Sequence, residues 1–109
     1  MRLTDEQRQQ LRIANPGATL VRTKALPEHD FVFRPLREDE LDSFLMAVNS
    51  DDETEKVYAH RTLARDLLLF PTHEEWEALS AQKPAIAHAI GVELSKKAGL
   101  NAEMQVEAL

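Results

Sequence analysis

Cysteine is absent from all 109 residues, which excludes disulfide scaffolds, thiol nucleophiles and thiolate metal sites. Glycine is scarce, occurring only at Gly17, Gly91 and Gly99, so neither common glycine-rich phosphate loop can be built. No apolar run approaches the ~20 residues that cross a bilayer, and no membrane contact is expected. The N-terminus carries Arg2 and Arg8 with no apolar stretch behind them, unlike a secretory signal. Positive charge is also short: 13 Lys and Arg face 19 Asp and Glu, a net charge of −6. That balance disfavours nucleic acid, whose phosphates demand a basic footprint. An acidic protein of the cytoplasm is the expectation left standing.

The chain is the length of one domain. Hydrophobic residues make up 43% of it, but 14 of them are alanine, so the core must be modest. Residues 1–37 carry a balance of +3 and residues 38–109 one of −9. Such asymmetry favours head-to-tail or heteromeric contacts through complementary fields, although two solvated faces account for it more plainly.

Thr4-Asp5-Glu6-Gln7 is a capping box, predicting a helix that ends near Ala14 before Asn15-Pro16-Gly17. With only Leu3, Leu11 and Ile13 as large apolar residues, residues 1–17 form a weakly anchored element. Residues 18–36 read as a β-hairpin, because Thr19–Thr23 and Phe31–Arg34 are rich in β-branched and aromatic residues around the turn-forming Pro27–Asp30. An isolated hairpin is marginal in water, so it must lie on the helices or gain strands from a partner, and Phe31 and Phe33 most simply cover the helices.

Residues 37–100 read as a bundle of four short helices. The first, Glu38 to Val48, spaces Leu41, Phe44, Leu45 and Val48 as an inward stripe. Ser50-Asp51-Asp52-Glu53 offers a capping box for the second helix. It is expected to run to about Phe70, burying Val57, Leu63, Ala64, Leu67 and Leu68, until Pro71 stops it. Thr72-His73-Glu74-Glu75 starts a third with Trp76 and Leu79 inward, Trp76 packing with Phe70 around Pro71. Pro84 opens the fourth, whose Ile86, Ile90 and Leu94 form an apolar row. Lys96 and Lys97 suit its C-terminal end, Gly99 supplies a left-handed cap, and Leu100 is placed to fold back. Residues 101–109 read as a C-terminal tail. The fold class is therefore α+β, mainly α.

No constellation for catalysis emerges. His60 lies on the apolar side of its helix as a boundary histidine, His88 points away from the Ile86–Ile90 row, and His29 and His73 sit in a loop and a first turn. No histidine pair has the i, i+4 spacing of a helical zinc site, so no metal and no cofactor is expected. The serines explain themselves as caps or surface, and none lies in a nucleophile elbow. Glu38 with Asp42 reads as a solvated face, since nothing nearby would bury one carboxylate. Leu100, Met104, Val106 and Leu109 are the candidate partner-binding residues, because a terminal extension has little core to join.

Several features from Phe31 onward share an order with one family. They are Arg34-Pro35-Leu36 ending a strand, the acidic helix opening Arg37-Glu38-Asp39-Glu40, and Leu67-Leu68-Leu69-Phe70-Pro71. Glu74-Glu75-Trp76-Glu77-Ala78-Leu79, Pro84 and Ala98-Gly99-Leu100 follow. In this order, residues 31–100 resemble the small tail assembly chaperones of long-tailed bacteriophages and prophages. The resemblance implies a non-enzymatic protein that binds the tape-measure protein, keeps its hydrophobic helices soluble, and releases it as tail-tube subunits polymerise. A homo-oligomer is compatible with it, through the open hairpin edge. The competing expectation is a small acidic regulatory or adaptor protein that engages a basic partner.

Overall fold

A computed structural model describes residues 1–100 and 106–109. In chain order the elements are α1 (Asp5–Ala14), β1 (Thr19–Val21), β2 (Phe31–Phe33), α2 (Glu38–Val48), α3 (Glu53–Leu67), β3 (Leu68–Phe70), α4 (His73–Gln82) and α5 (Pro84–Lys97). The architecture is α+β and mainly α, with five helices and one small sheet among the described residues.

Helix boundaries follow local chemistry. The Thr4 hydroxyl accepts from the Gln7 N–H while the Gln7 side chain accepts from the Thr4 N–H, so the first box closes reciprocally. Thr72 accepts from the Glu75 N–H at the start of α4. At the end of α5 the Gly99 N–H donates to Lys96 and the Leu100 N–H to Ser95. This double closure needs Gly99 in the left-handed region, at φ +94°. One cap differs from expectation. Asp52, not Ser50, caps α3, its carboxylate accepting from the Thr54 N–H at 2.9 Å. The Ser50 hydroxyl instead accepts from the Asp52 N–H and donates to Glu55.

The hairpin gains a third strand. The sheet order is β1-β2-β3, antiparallel throughout, with Val21 opposite Phe31, Thr19 opposite Phe33, and Val32 opposite Phe70. A helix reaching Phe70 is therefore corrected: α3 stops at Leu67 and the next three residues pair with β2. The Leu-Leu-Leu-Phe run has no helical periodicity, and Pro71 biases the residue before it away from helical backbone. Pairing on both sides makes β2 the central strand, and all three of its side chains are buried.

Phe31 and Phe33 are fully buried and pack edge-to-face with Trp76, at centroid separations of 5.6 and 5.9 Å. Trp76 is thus a core residue whose ring contacts, among the described residues, are with these strand phenylalanines rather than with Phe70. Each edge-to-face pair adds about 0.5–1.5 kcal/mol beyond area burial. Leu63, Ala64, Leu67, Leu68, Ile90 and Leu94 complete the same cluster, with Ile86 and Leu79 packed at its margin.

The tightest crossing joins α3 to α5. A Cβ built on Gly91 would stand 2.0 Å from the His60 carbonyl oxygen, so the two backbones touch there. Ala87 and Ser95, one turn to either side on α5, are also buried. Buried Asp30 ties the N-terminus to the hairpin. Its carboxylate accepts from the Leu3 N–H at 2.9 Å and from Arg22 Nε at 2.8 Å, and its own N–H donates to the Met1 carbonyl. These bonds hold the carboxyl below its usual range, Arg22 contributing most and burial opposing. Helix α1, by contrast, buries no residue and leaves Ile13 exposed.

Candidate functional site

Two expected core positions lie on the surface. Leu45 on α2 and Val57 on α3 are both exposed, where the helical stripes place them inward. Met46 and Tyr58 are exposed as well, Met46 at 76%. Ala47 on α2 and Ala59 on α3 line the space between the two helices and are too short to fill it.

Between these helices runs a groove of about 730 Å³. Phe44, Ala47, Ala59 and Leu63 form its floor, and Met46 and Tyr58 stand at its edges. Helical spacing aligns the walls, since Asp39, Ser43 and Met46 follow one ridge of α2 while Glu55, Tyr58 and Thr62 follow one ridge of α3. Arg61 lies over the Tyr58 ring, its guanidinium 4.7 Å from the ring centroid, a cation–π contact.

The groove is acidic. Asp39, Glu40, Asp52, Glu55 and Asp66 line it, and the lining includes no Lys or Arg, although Arg65 pairs with Asp66 at 3.5 Å from outside. Glu40 is neutralised by a two-pronged ion pair with Arg34 and accepts from the Arg37 N–H at 3.0 Å. Arg34 holds the Glu40 carboxyl below the usual range, chiefly through that hydrogen bond. Among the described residues, Asp39, Asp52 and Glu55 enter no ion pair, although Asp52 caps α3 and Glu55 accepts from the Ser50 hydroxyl.

Of the tail residues singled out from the sequence, Leu100, Val106 and Leu109 do not line this groove. Leu100 is half-buried and packs against the core beyond α5. Val106 and Leu109 are exposed, and Met104 lies outside the described residues. Sequence reasoning missed the groove because it placed apolar helix residues inward. The available signal was Met46, which falls off the Leu41–Phe44–Val48 stripe.

The histidines form a packed pair rather than a ligand set. The His60 ring lies edge-on to Phe44 and to His88, each at 5.0 Å. Burial lowers the His60 pKa below its ordinary value, and His88 lowers it further. No group of three or more His, Asp or Glu side chains among the described residues is arranged to hold a metal ion. No helix among them is long and apolar enough to cross a membrane.

No protein-family model matches the chain. No curated protein matches its sequence. The fold is similar to the solved structure of an uncharacterised protein from Bacillus stearothermophilus, at 14% identity and a TM-score of 0.69. That match covers 92% of this chain and 99% of the other. At such identity the likeness establishes a shared fold and nothing about activity.

Proposed function

We propose that this protein is a non-enzymatic tail assembly chaperone of long-tailed bacteriophages, binding the tape-measure protein, tail-tube subunits or both during tail morphogenesis. The observation that carries the reading is the solvent-open apolar groove between α2 and α3, with Met46 and Tyr58 exposed beside it. A holder of apolar helices needs such a surface on an otherwise charged exterior, so that it captures its client without aggregating itself. The order of helices and stops along residues 31–100 supports the same reading.

Co-expression with a candidate tape-measure protein tests it. The expected outcome is recovery of that partner in the soluble fraction as a complex, and an unchanged insoluble fraction refutes the proposal. The groove's five carboxylates favour a second reading, a small acidic adaptor for a basic partner. Adaptor binding would collapse as salt is raised, whereas capture through apolar contacts survives it.

A further inference from the structure

We infer that the α2–α3 groove receives one amphipathic helix whose apolar stripe sits on Phe44, Met46 and Tyr58 while Lys or Arg residues beside the stripe meet Asp39, Asp52 and Glu55. This inference rests on the polypeptide-binding reading and specifies its surface and the chemistry of its client segment. Length supports it. From Asp39 to Ala47 the α2 wall extends about 12 Å, enough for roughly two turns of a docked helix. Shape supports it too, because ridges at i, i+3 and i+4 spacing on both walls accept the complementary ridge of a third helix.

Charge selects the occupant. Three carboxylates without ion-pair partners surround an apolar floor that carries no cation, so an acidic or neutral helix would gain nothing from them and a basic-flanked one is attracted and aligned. A second copy of this chain fits less well. Its exposed helix α1 sets Asp5 and Glu6 against Arg8 and Arg12 and so brings no net positive charge to the rim.

The test titrates isotope-labelled full-length protein with two synthetic helical peptides of about four turns. Both carry Leu at alternating three- and four-residue spacing. One has Lys flanking the stripe and the other has Glu. The Lys peptide is expected to bind at least about tenfold more tightly, with amide shifts concentrated on Phe44, Met46, Glu55 and Tyr58. The double variant Met46→Ser, Tyr58→Ser, altered only at exposed positions, should keep its helical circular dichroism and melting temperature. It should lose about tenfold or more in Lys-peptide affinity. Equal binding of the two peptides, shifts confined to another face, or undiminished affinity in the double variant would each overturn the inference. So would a concentration-dependent dimer in which the groove residues are the ones protected.

Co-expression separates this failure from failure of the functional reading. If the wild-type protein fails to solubilise the tape-measure protein yet the Lys peptide seats in the groove, the phage role falls and the groove assignment stands. If wild type and double variant solubilise it equally, the groove assignment falls and the role stands.

Discussion

Replacing Gly91 with alanine should destabilise the protein, against the usual benefit of removing a glycine from a helix. The new Cβ would lie 2.0 Å from the His60 carbonyl oxygen and 2.6 Å from its carbon, where ordinary contact begins at 3.4 Å. Both obstructing atoms are backbone, so no side chain can swing aside and α3 and α5 must part by more than 1 Å. Overpacking of a tight core costs about 1–3 kcal/mol, and a backbone obstruction at the main helix crossing belongs at the upper end. Alanine's better helix propensity returns about 1 kcal/mol. The net expectation is a loss of about 2 kcal/mol, or roughly 10 °C in melting temperature for a domain this size. Urea unfolding followed by both far-ultraviolet circular dichroism and Trp76 fluorescence measures it, coincident curves establishing a two-state transition. The exposed Ala89→Gly change on the same helix serves as the reference, losing about 1 kcal/mol through propensity alone. A Gly91→Ala protein as stable as wild type, or more so, would refute the close approach of the two backbones.

Trp76→Ala should cost about 3–5 kcal/mol by removing the ring that Phe31 and Phe33 share, read as a fall in urea midpoint. Gly99→Ala meets no obstruction within 4 Å, yet it should cost about 1 kcal/mol because φ is +94°. The same denaturation assay checks it. Asp30→Ala should cost about 1–3 kcal/mol by stranding the Leu3 N–H, and hydrogen exchange at Leu3 should accelerate. Acid should weaken the fold in two stages. With the His60 pKa held below the ordinary 6.5, the unfolded chain binds more protons just under that pH, so stability falls as pH drops from there through the folded value. Asp30 and Glu40, both lowered, stabilise the fold above the ordinary carboxylate range, and that contribution is lost as pH falls through their folded values. Unfolding midpoints measured from pH 8 to pH 3, with His60→Gln flattening the first stage, test the assignment. Stability that rises between pH 6.5 and 5 would contradict it.

Element order and helix ends were legible from the sequence because caps and stops act within about four residues. Thr4, Thr72, Pro84 and Gly99 each decide a boundary through atoms close along the chain, and Glu38–Val48 follows from its acidic first turn and apolar stripe. The third strand was not legible. Leu68–Phe70 lies more than thirty residues from the strand it pairs with, and nothing local in Leu-Leu-Leu-Phe distinguishes a strand from a last helical turn. The groove was hidden for a related reason. Periodicity shows which residues share a helix face, but burial depends on which neighbour covers that face. Met46 and Tyr58 remain exposed because α3 makes its closest backbone contact with α5, at Gly91, while the short side chains of Ala47 and Ala59 leave its junction with α2 open, and Leu45 and Val57 are exposed outside that groove. Local chemistry thus determined where helices begin and end, and only tertiary packing decided which apolar residues remained available to another molecule.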